Sequence, residues 1–131
     1  MAKRIVAADD ETHILSVVSL KLGNAGYEVL RAEDGEEALE LCTTQVPDLL
    51  ITDYQMPLMT GLELCKELRK NEALRHIPAV MLTARGFDIE PEEMAEAGIE
   101  MVITKPFAPR KLLDTVNEIL RTEPVGAARE E

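Results

Sequence analysis

The segment Leu49-Leu50-Ile51-Thr52-Asp53-Tyr54-Gln55-Met56-Pro57 contains a short apolar run that stops at an aspartate, with a proline close behind it. An apolar run of this length predicts a buried β-strand over residues 48–52. A buried strand that ends on a charged residue is a local conflict, and such conflicts are expected at functional sites. Asp53 is therefore the first candidate for a functional residue.

Four further apolar segments predict strands, over residues 3–8, 27–31, 78–83 and 99–104. Segments in which the apolar residues recur with helical spacing separate these strands. The helices are predicted over residues 12–25, from Asp34 to before Pro47, from the capping box at Thr60 through Leu68, between Pro91 and Gly98, and over residues 109–121.

The alternation of five strands with five helices predicts an α/β fold. Because the strands are nearly continuous apolar runs, we expect a doubly wound parallel sheet with helices on both faces. A chain of 131 residues has the length of one domain, which we place at residues 1–121. Residues 122–131 are predicted to form a flexible tail or the start of a linker.

The bulk composition excludes several classes of protein. The net charge of −11 argues against nucleic-acid binding by this segment, because proteins that grip a phosphate backbone present basic patches. No apolar run approaches the ~18 residues of a membrane span, and the first apolar run is too short for a secretory signal. Cys42 and Cys65 lack a CxxC spacing and are expected to be reduced thiols. We therefore expect a cytoplasmic protein without a membrane partner.

Polar residues lie at the carboxyl ends of four predicted strands. Asp9 and Asp10 follow the first strand, Asp53 ends the third, Thr83 ends the fourth and Lys105 follows the fifth. Each has an ordinary explanation when taken alone, such as a helix cap, an Asx turn or a loop residue. Together they lie at the edge where parallel α/β sheets bind ligands, and this joint position predicts one functional site.

The residue types at this edge indicate phosphoryl chemistry. Three carboxylates about 5 Å apart would repel one another by roughly 3 kcal/mol per pair at an effective dielectric constant of about 20, so the site needs a cation or a protonated acid. Hard oxygen ligands with room for water favour Mg²⁺. Lys105 adds a second positive charge and Thr83 adds a hydroxyl donor. The site is therefore suited to neutralising a phosphoryl group transferred to Asp53.

Four motifs, taken together, resemble the receiver domain of two-component response regulators, and the resemblance runs from about Lys3 to Arg121. The motifs are Val6-Ala7-Ala8-Asp9-Asp10-Glu11, Asp53-Tyr54-Gln55-Met56-Pro57-Leu58-Met59-Thr60-Gly61, Leu82-Thr83-Ala84 and Thr104-Lys105-Pro106-Phe107. The resemblance implies a flavodoxin-like strand order of 2-1-3-4-5. It also implies a phosphorylation-dependent signalling switch, which catalyses its own phosphoryl transfer and dephosphorylation but is not an enzyme in the ordinary sense.

The resemblance further implies a ligand set and partners. Asp53 would accept a phosphoryl group from a phosphohistidine of a sensor histidine kinase or a phosphotransfer protein. Asp10, Asp53 and the backbone carbonyl of Gln55 would bind Mg²⁺ directly, and Asp9 would act mainly through water. A downstream effector protein would read the switch, and formation of a homodimer is left open.

Lys105 and Thr83 have implied roles as well. Lys105 would pair with Asp53 and then with the phosphoryl group, Thr83 would hydrogen-bond that group, and the peptide bond before Pro106 would be cis. Several positions depart from the family pattern, and among them Val102 stands where an aromatic residue is common and Ala108 stands where a serine often precedes the last helix. Because valine has no ring to rotate, the usual aromatic readout is put in question.

Three alternatives use the same residues differently. A phosphatase of the haloacid dehalogenase type needs an acid two residues after its nucleophile, and this chain has Gln55 there. An FMN-binding flavodoxin-like module needs a hydroxyl-rich loop after the first strand, where this chain has Asp9-Asp10-Glu11. A receiver-like protein-interaction module that does not depend on phosphorylation is compatible with Val102, and it stays the main alternative.

Overall fold

The computed structural model describes residues 2–84 and 89–121 of the chain. Each strand lies within one residue of its predicted position, and the last helix ends at Leu120 rather than at Arg121. Strands and helices alternate in the order β1 (Arg4–Ala8), α1 (Thr12–Asn24), β2 (Glu28–Ala32), α2 (Gly35–Gln45), β3 (Leu49–Asp53), α3 (Gly61–Arg69), β4 (Ala79–Thr83), α4 (Pro91–Ala97), β5 (Ile99–Thr104) and α5 (Pro109–Leu120).

The five strands form one parallel sheet in the order β2-β1-β3-β4-β5. The predicted α/β class and the strand order are therefore confirmed. β3 lies in the middle of the sheet, and all five of its residues are buried. Burial on both faces explains why this strand is a continuous apolar run rather than an alternating one.

Two hydrophobic clusters lie on opposite faces of the sheet. Neighbouring residues of a strand point to opposite faces, so Leu50 belongs to one cluster and Ile51 to the other. The cluster around Leu50 is completed by residues of α2, α3 and α4, and the cluster around Ile51 by residues of α1 and α5. The helices therefore cover both faces, as the strand composition predicts.

The register of the strands brings their carboxyl ends to one level. The pairing of β1 with β3 sets Asp9, the residue after β1, beside Asp53 at the end of β3. β4 and β5 end on a paired couple, Thr83 and Thr104, directly before Lys105. The candidate site is therefore assembled from residues that are far apart in the sequence.

Local signals fix the starts of two helices near this edge. The Asp34 carboxylate caps α2 by accepting a hydrogen bond from the Glu37 N–H at 2.8 Å. A capping box begins α3: Thr60 Oγ1 accepts from the Glu63 N–H at 3.1 Å, and the Glu63 carboxylate accepts from the Thr60 N–H at 2.9 Å. In contrast, Ala108 leaves the start of α5 without a side-chain cap.

Part of the predicted organisation falls outside the described residues. The predicted tail, residues 122–131, lies there, so the boundary placed at residue 121 stays a prediction. Across residues 2–84 and 89–121, none of the helices is long and apolar enough to cross a membrane.

Candidate functional site

Three aspartates meet at the carboxyl edge of the sheet. One carboxylate oxygen from each of Asp9, Asp10 and Asp53 lies within 4.8 Å of the others. Asp9 and Asp53 are 1% and 7% exposed, whereas Asp10 is exposed. The predicted juxtaposition is therefore present, with two acids buried in the sheet edge and one at the mouth of the site.

Lys105 provides the positive charge of this cluster. Its Nζ atom lies 2.9 Å from Asp9 Oδ2, 2.9 Å from Glu11 Oε1 and 3.3 Å from Asp53 Oδ1. The pairing with Asp53 was expected, but two of the three contacts are shorter than that one. The ammonium group is shared among three carboxylates rather than reserved for Asp53.

Glu11 is the member of the site that the sequence reasoning missed. It stands in the first acidic motif, but no role was assigned to it, because it follows the aspartate pair and precedes the first helical residue. In the structure its carboxylate accepts a hydrogen bond from Lys105 Nζ at 2.9 Å. The signal in the sequence was the third consecutive acid, which adds a carboxylate within reach of the same lysine.

Burial dominates the electrostatics of the acids. Burial of the carboxyl, together with repulsion from Asp9, raises the pKa of Asp53 to about 6, although Lys105 partly opposes the change. Burial also raises the pKa of Asp9 above its ordinary value. The site therefore holds ionised carboxylates at a free-energy cost, which a bound cation would offset.

The surroundings favour the charged form of Lys105, whereas they disfavour the charged forms of Asp9 and Asp53. Burial disfavours its charge, but the hydrogen bonds and the charges of the surrounding carboxylates outweigh this effect and raise the pKa of Lys105. The hydrogen bond with Lys105 lowers the pKa of Glu11. Lys105 is therefore positively charged near neutral pH.

The acid cluster fits a small divalent cation. Asp9 Oδ2 is fully buried and, apart from its ion pair with Lys105, has no hydrogen-bond partner among the described residues. A cleft of about 370 Å³ opens beside it, and Gln55 and Ala84 contribute to its walls. Three hard oxygen donors, one of them unsatisfied, beside an open cleft are a donor set suited to a hard cation. The residues that could hold a metal ion are Asp9, Asp10 and Asp53.

Thr83 and Gln55 lie at the same edge, but among the described residues neither side chain forms a hydrogen bond with Asp53. Thr83 is buried, and its hydroxyl donates a hydrogen bond to the carbonyl of Ala84 at 3.3 Å. Gln55 is exposed and lines the cleft. Both residues are placed near the site, while the roles implied for them stay predictions.

Two expectations for β5 and the loop after it can be compared with the structure. The Lys105–Pro106 peptide bond is cis, as predicted. Val102 pairs with Met81 in the sheet and packs, half-buried, against the cluster around Leu50. The position that is often aromatic in the family is therefore occupied here by a small, half-buried aliphatic side chain.

The end of β3 rests on the first turn of α3. The Gly61 N–H donates a hydrogen bond to the carbonyl of Tyr54 at 2.8 Å. A Cβ atom at Gly61 would overlap the carbonyl oxygen of Asp53, and it would lie 3.1 Å from Met81 Sδ. The same Asp53 carbonyl accepts a hydrogen bond from Thr52 Oγ1 at 3.0 Å. These contacts hold the backbone of Asp53 in place.

Comparison with known proteins gives a consistent result at the level of sequence. The family model of the response regulator receiver domain matches residues 5–117. The chain is 37% identical over 131 residues to the alkaline phosphatase synthesis transcriptional regulatory protein PhoP of Bacillus subtilis, covering 100% of this chain and 54% of that protein. It is 36% identical over 121 residues to the phosphate regulon transcriptional regulatory protein PhoB of Pseudomonas aeruginosa, covering 92% of this chain and 53% of that protein. The chain spans about half the length of these curated relatives.

Solved structures agree with the sequence comparison. The chemotaxis response regulator CheY4 of Vibrio cholerae superposes with a TM-score of 0.84 at 36% identity, covering 92% of this chain and 100% of that one. The signal receiver domain of a signal transduction histidine kinase from Syntrophus aciditrophicus gives a TM-score of 0.78 at 30% identity, covering 99% of this chain and 96% of that one. Given the family match, the fold and these relatives, the chain belongs to the receiver domain family of two-component response regulators.

Proposed function

We propose that this receiver domain is a phosphorylation-dependent switch in which Asp53 accepts a phosphoryl group from a phosphohistidine on a sensor histidine kinase or a phosphotransfer protein. One observation carries the proposal: a buried aspartate lies 3.3 Å from a lysine ammonium, at an edge where two further carboxylates lie within 4.8 Å. This arrangement presents a nucleophilic oxygen beside positive charge and a cation-binding donor set.

The transfer reaction follows from the groups at this edge. A carboxylate oxygen of Asp53 attacks phosphorus, so a P–O bond forms while the P–N bond to the donor histidine breaks. The leaving imidazole keeps the bonding electron pair and its ring takes a proton from solvent. Lys105 neutralises the charge of the phosphoryl oxygens, and the Thr83 hydroxyl exchanges the Ala84 carbonyl for one of those oxygens.

The donor set suits Mg²⁺, which we propose as the cofactor. When bound, the ion supplies positive charge against the phosphoryl oxygens and screens the acids from one another. Asp10, Asp53 and the backbone carbonyl of Gln55 would be its direct ligands, and Asp9 would contribute mainly through water. The exposed position of Asp10 at the mouth of the cleft is consistent with exchange of the ion with solvent.

The switch resets when the acyl phosphate is hydrolysed. A water molecule attacks phosphorus, the P–O bond to Asp53 breaks, and inorganic phosphate leaves while the carboxylate is restored. We propose that the domain catalyses this step with the same groups, so that it acts on itself and has no separate substrate. Phosphorylation would shift the population between two conformations, one of which a downstream effector protein recognises.

We propose that the domain signals by binding protein partners and that this segment does not itself bind nucleic acid. The net charge of −11 supports this assignment, since phosphate backbones are bound by basic surfaces. PhoP and PhoB are named as transcriptional regulatory proteins. We propose that this receiver likewise controls an output carried by an effector protein, and that it works in the cytoplasm, where a histidine kinase would present its phosphohistidine.

Intact-mass measurement tests the proposal directly. The protein is incubated with a small phosphodonor and Mg²⁺, and we expect one added phosphate on the wild type and none on Asp53→Asn. Asp114→Asn is the matched control, because Asp114 is an exposed acid on α5 whose side chain is 66% exposed, and it should take up phosphate like the wild type. A wild type that never gains phosphate would contradict the proposal.

That negative outcome would favour a receiver-like interaction module independent of phosphorylation. The observation in its favour is Val102, which occupies the often aromatic position with a half-buried side chain that packs against the cluster around Leu50. The two functions differ in one measurable respect: only the switch requires the Asp53 carboxylate for a change in partner binding.

A further inference from the structure

The Lys105 ammonium group lies among three carboxylates before any phosphoryl group arrives, and it donates a hydrogen bond to Glu11 Oε1. Its Nζ atom is 2.9 Å from Asp9 Oδ2, 2.9 Å from Glu11 Oε1 and 3.3 Å from Asp53 Oδ1. An ammonium group donates at most three hydrogen bonds. The oxygens of a phosphoryl group on Asp53 therefore compete for the lysine with its two shorter contacts.

The two competing carboxylates differ in how easily they release the lysine. Asp9 is 1% exposed, and its Oδ2 has no hydrogen-bond partner other than the ion pair with Lys105 in the part of the chain described. Release would leave a buried charge unpaired, which is costly. The Glu11 side chain is 50% exposed, so water can replace the lysine there at little cost. Glu11 is therefore the contact that yields.

The backbone of Glu11 is held in place on the β1 side of the cleft. Its N–H donates a hydrogen bond to Asp9 Oδ1 at 2.9 Å. Its carbonyl accepts hydrogen bonds from the N–H groups of Ile14 and Leu15, in the first turn of α1. The carboxylate that accepts the hydrogen bond from Lys105 thus projects from a backbone that is itself hydrogen-bonded in place.

We propose that Glu11 is a positioning residue, which holds Lys105 toward the β1 side of the cleft in the unphosphorylated protein and competes with the phosphoryl group for the lysine. This inference rests on the proposed function of Asp53. Glu11 acts through Lys105 and does not touch the phosphoryl group. Its removal frees the lysine for Asp53 and so speeds phosphate uptake.

The test measures the rate of phosphate uptake from a small phosphodonor at saturating Mg²⁺ for the wild type and Glu11→Gln. A half-exposed ion pair limits the expected gain to about two- to five-fold. Glu33→Gln is the matched control, since Glu33 follows β2 at the same edge of the sheet, is also exposed and makes no ion pair with Lys105. Glu33→Gln should leave the rate unchanged within the error of measurement.

A double-mutant cycle separates positioning from simple removal of a negative charge. In a Lys105→Ala background, Glu11→Gln should no longer change the rate, because the residue through which it acts is gone. An equal gain in both backgrounds, or an equal gain from Glu33→Gln, would overturn the inference and assign the effect to charge alone. An unchanged rate in the single variant would overturn it as well.

A second measurement does not depend on phosphate. The NMR signals of the Lys105 ammonium group and of its neighbouring methylene should shift in unphosphorylated Glu11→Gln and stay in place in Glu33→Gln. Unshifted signals in Glu11→Gln would overturn the inference even where the wild type takes up phosphate normally. Absence of uptake by the wild type, combined with shifted signals, would instead remove the proposed function and leave the resting contact in place.

Discussion

Gly61 lies directly against the main-chain carbonyl of Asp53, so the first turn of α3 supports the residue that ends β3. The contact leaves no room for a side chain: an added Cβ would overlap the Asp53 carbonyl oxygen. Backbone atoms cannot move aside as the end of a flexible side chain can. The position of Asp53 therefore depends on the absence of a side chain at Gly61.

Gly61→Ala should destabilise the fold by about 1–3 kcal/mol, the usual cost of inserting an atom into a packed site, and it should slow phosphate uptake on Asp53. Urea unfolding gives the first quantity and intact-mass kinetics the second. Gly23→Ala is the control, because no atom lies within 4 Å of a Cβ at this helical position, and it should stabilise by up to about 1 kcal/mol. Similar unfolding midpoints for the two variants would contradict the steric account.

Asp53→Asn should make the metal-free protein more stable. The pKa of Asp53 is raised to about 6 from an ordinary value of 3.8, so the folded state favours the protonated acid. Its contribution to stability is therefore greatest at low pH and falls as the pH rises through about 6, with a full cost of about 3 kcal/mol near neutrality. Urea unfolding in a chelator should show a difference between variant and wild type that grows from acidic to neutral pH. A difference independent of pH would contradict this origin.

Addition of Mg²⁺ should raise the melting temperature of the wild type, because the proposed site would bind the ion in the folded protein and not in the unfolded chain. The shift should be much smaller in Asp10→Asn, which removes an exposed carboxylate of the cluster without disturbing the core. Thermal melts with and without a chelator measure both shifts. Glu36→Gln, a change in an exposed acid of the first turn of α2, is the control and should keep the full shift.

Lys105→Ala should destabilise the metal-free fold by about 2 kcal/mol or more, since it leaves buried carboxylates without their counter-charge. The Lys105 side chain is 15% exposed and contacts the buried Asp9. Lys66→Ala is the comparison: Lys66 pairs with Glu93 at 2.9 Å, but the two side chains are 45% and 38% exposed. Its loss should not measurably change the unfolding midpoint. Equal effects of the two substitutions would mean that burial does not govern these pairs.

Ala108→Ser should stabilise the domain by about 0.5–1 kcal/mol, because α5 begins without a side-chain cap. The converse change, Thr60→Ala, removes one half of the capping box of α3 and should cost about 1 kcal/mol. Urea unfolding of both variants gives the comparison. A loss of stability in Ala108→Ser would show that the hydroxyl cannot reach the N–H groups of the first turn.

Much of the architecture was predictable because its signals are local. The apolar run before Asp53 predicts a buried strand, and Thr60 with Glu63, only three residues apart, predicts the start of α3. The edge location of the site follows from a general property of parallel sheets. These predictions need no knowledge of how side chains pack at a distance.

Other features were beyond the reach of sequence patterns. The contact between Glu11 and Lys105 joins residues 94 positions apart, and it depends on where one long side chain settles among three acceptors. Val46 ends α2 in the left-handed region at a φ of 42°, and Leu58 has a φ of 75°. Neither residue type favours that conformation. The surrounding structure imposes it, and no local rule predicts it.

β5 is an edge strand of the sheet, and this position matters for chains that are truncated near Lys105. Lys105 immediately follows this strand, which is also the last to be synthesised and is held by a single neighbour, β4. A fragment that ended before residue 105 would keep the three aspartates but lack the ammonium group that pairs with Asp9 and Asp53. The acids that follow the earlier strands therefore depend for their counter-charge on a residue that is made only after the last strand. We expect chains truncated before Lys105 to be less stable than the whole domain.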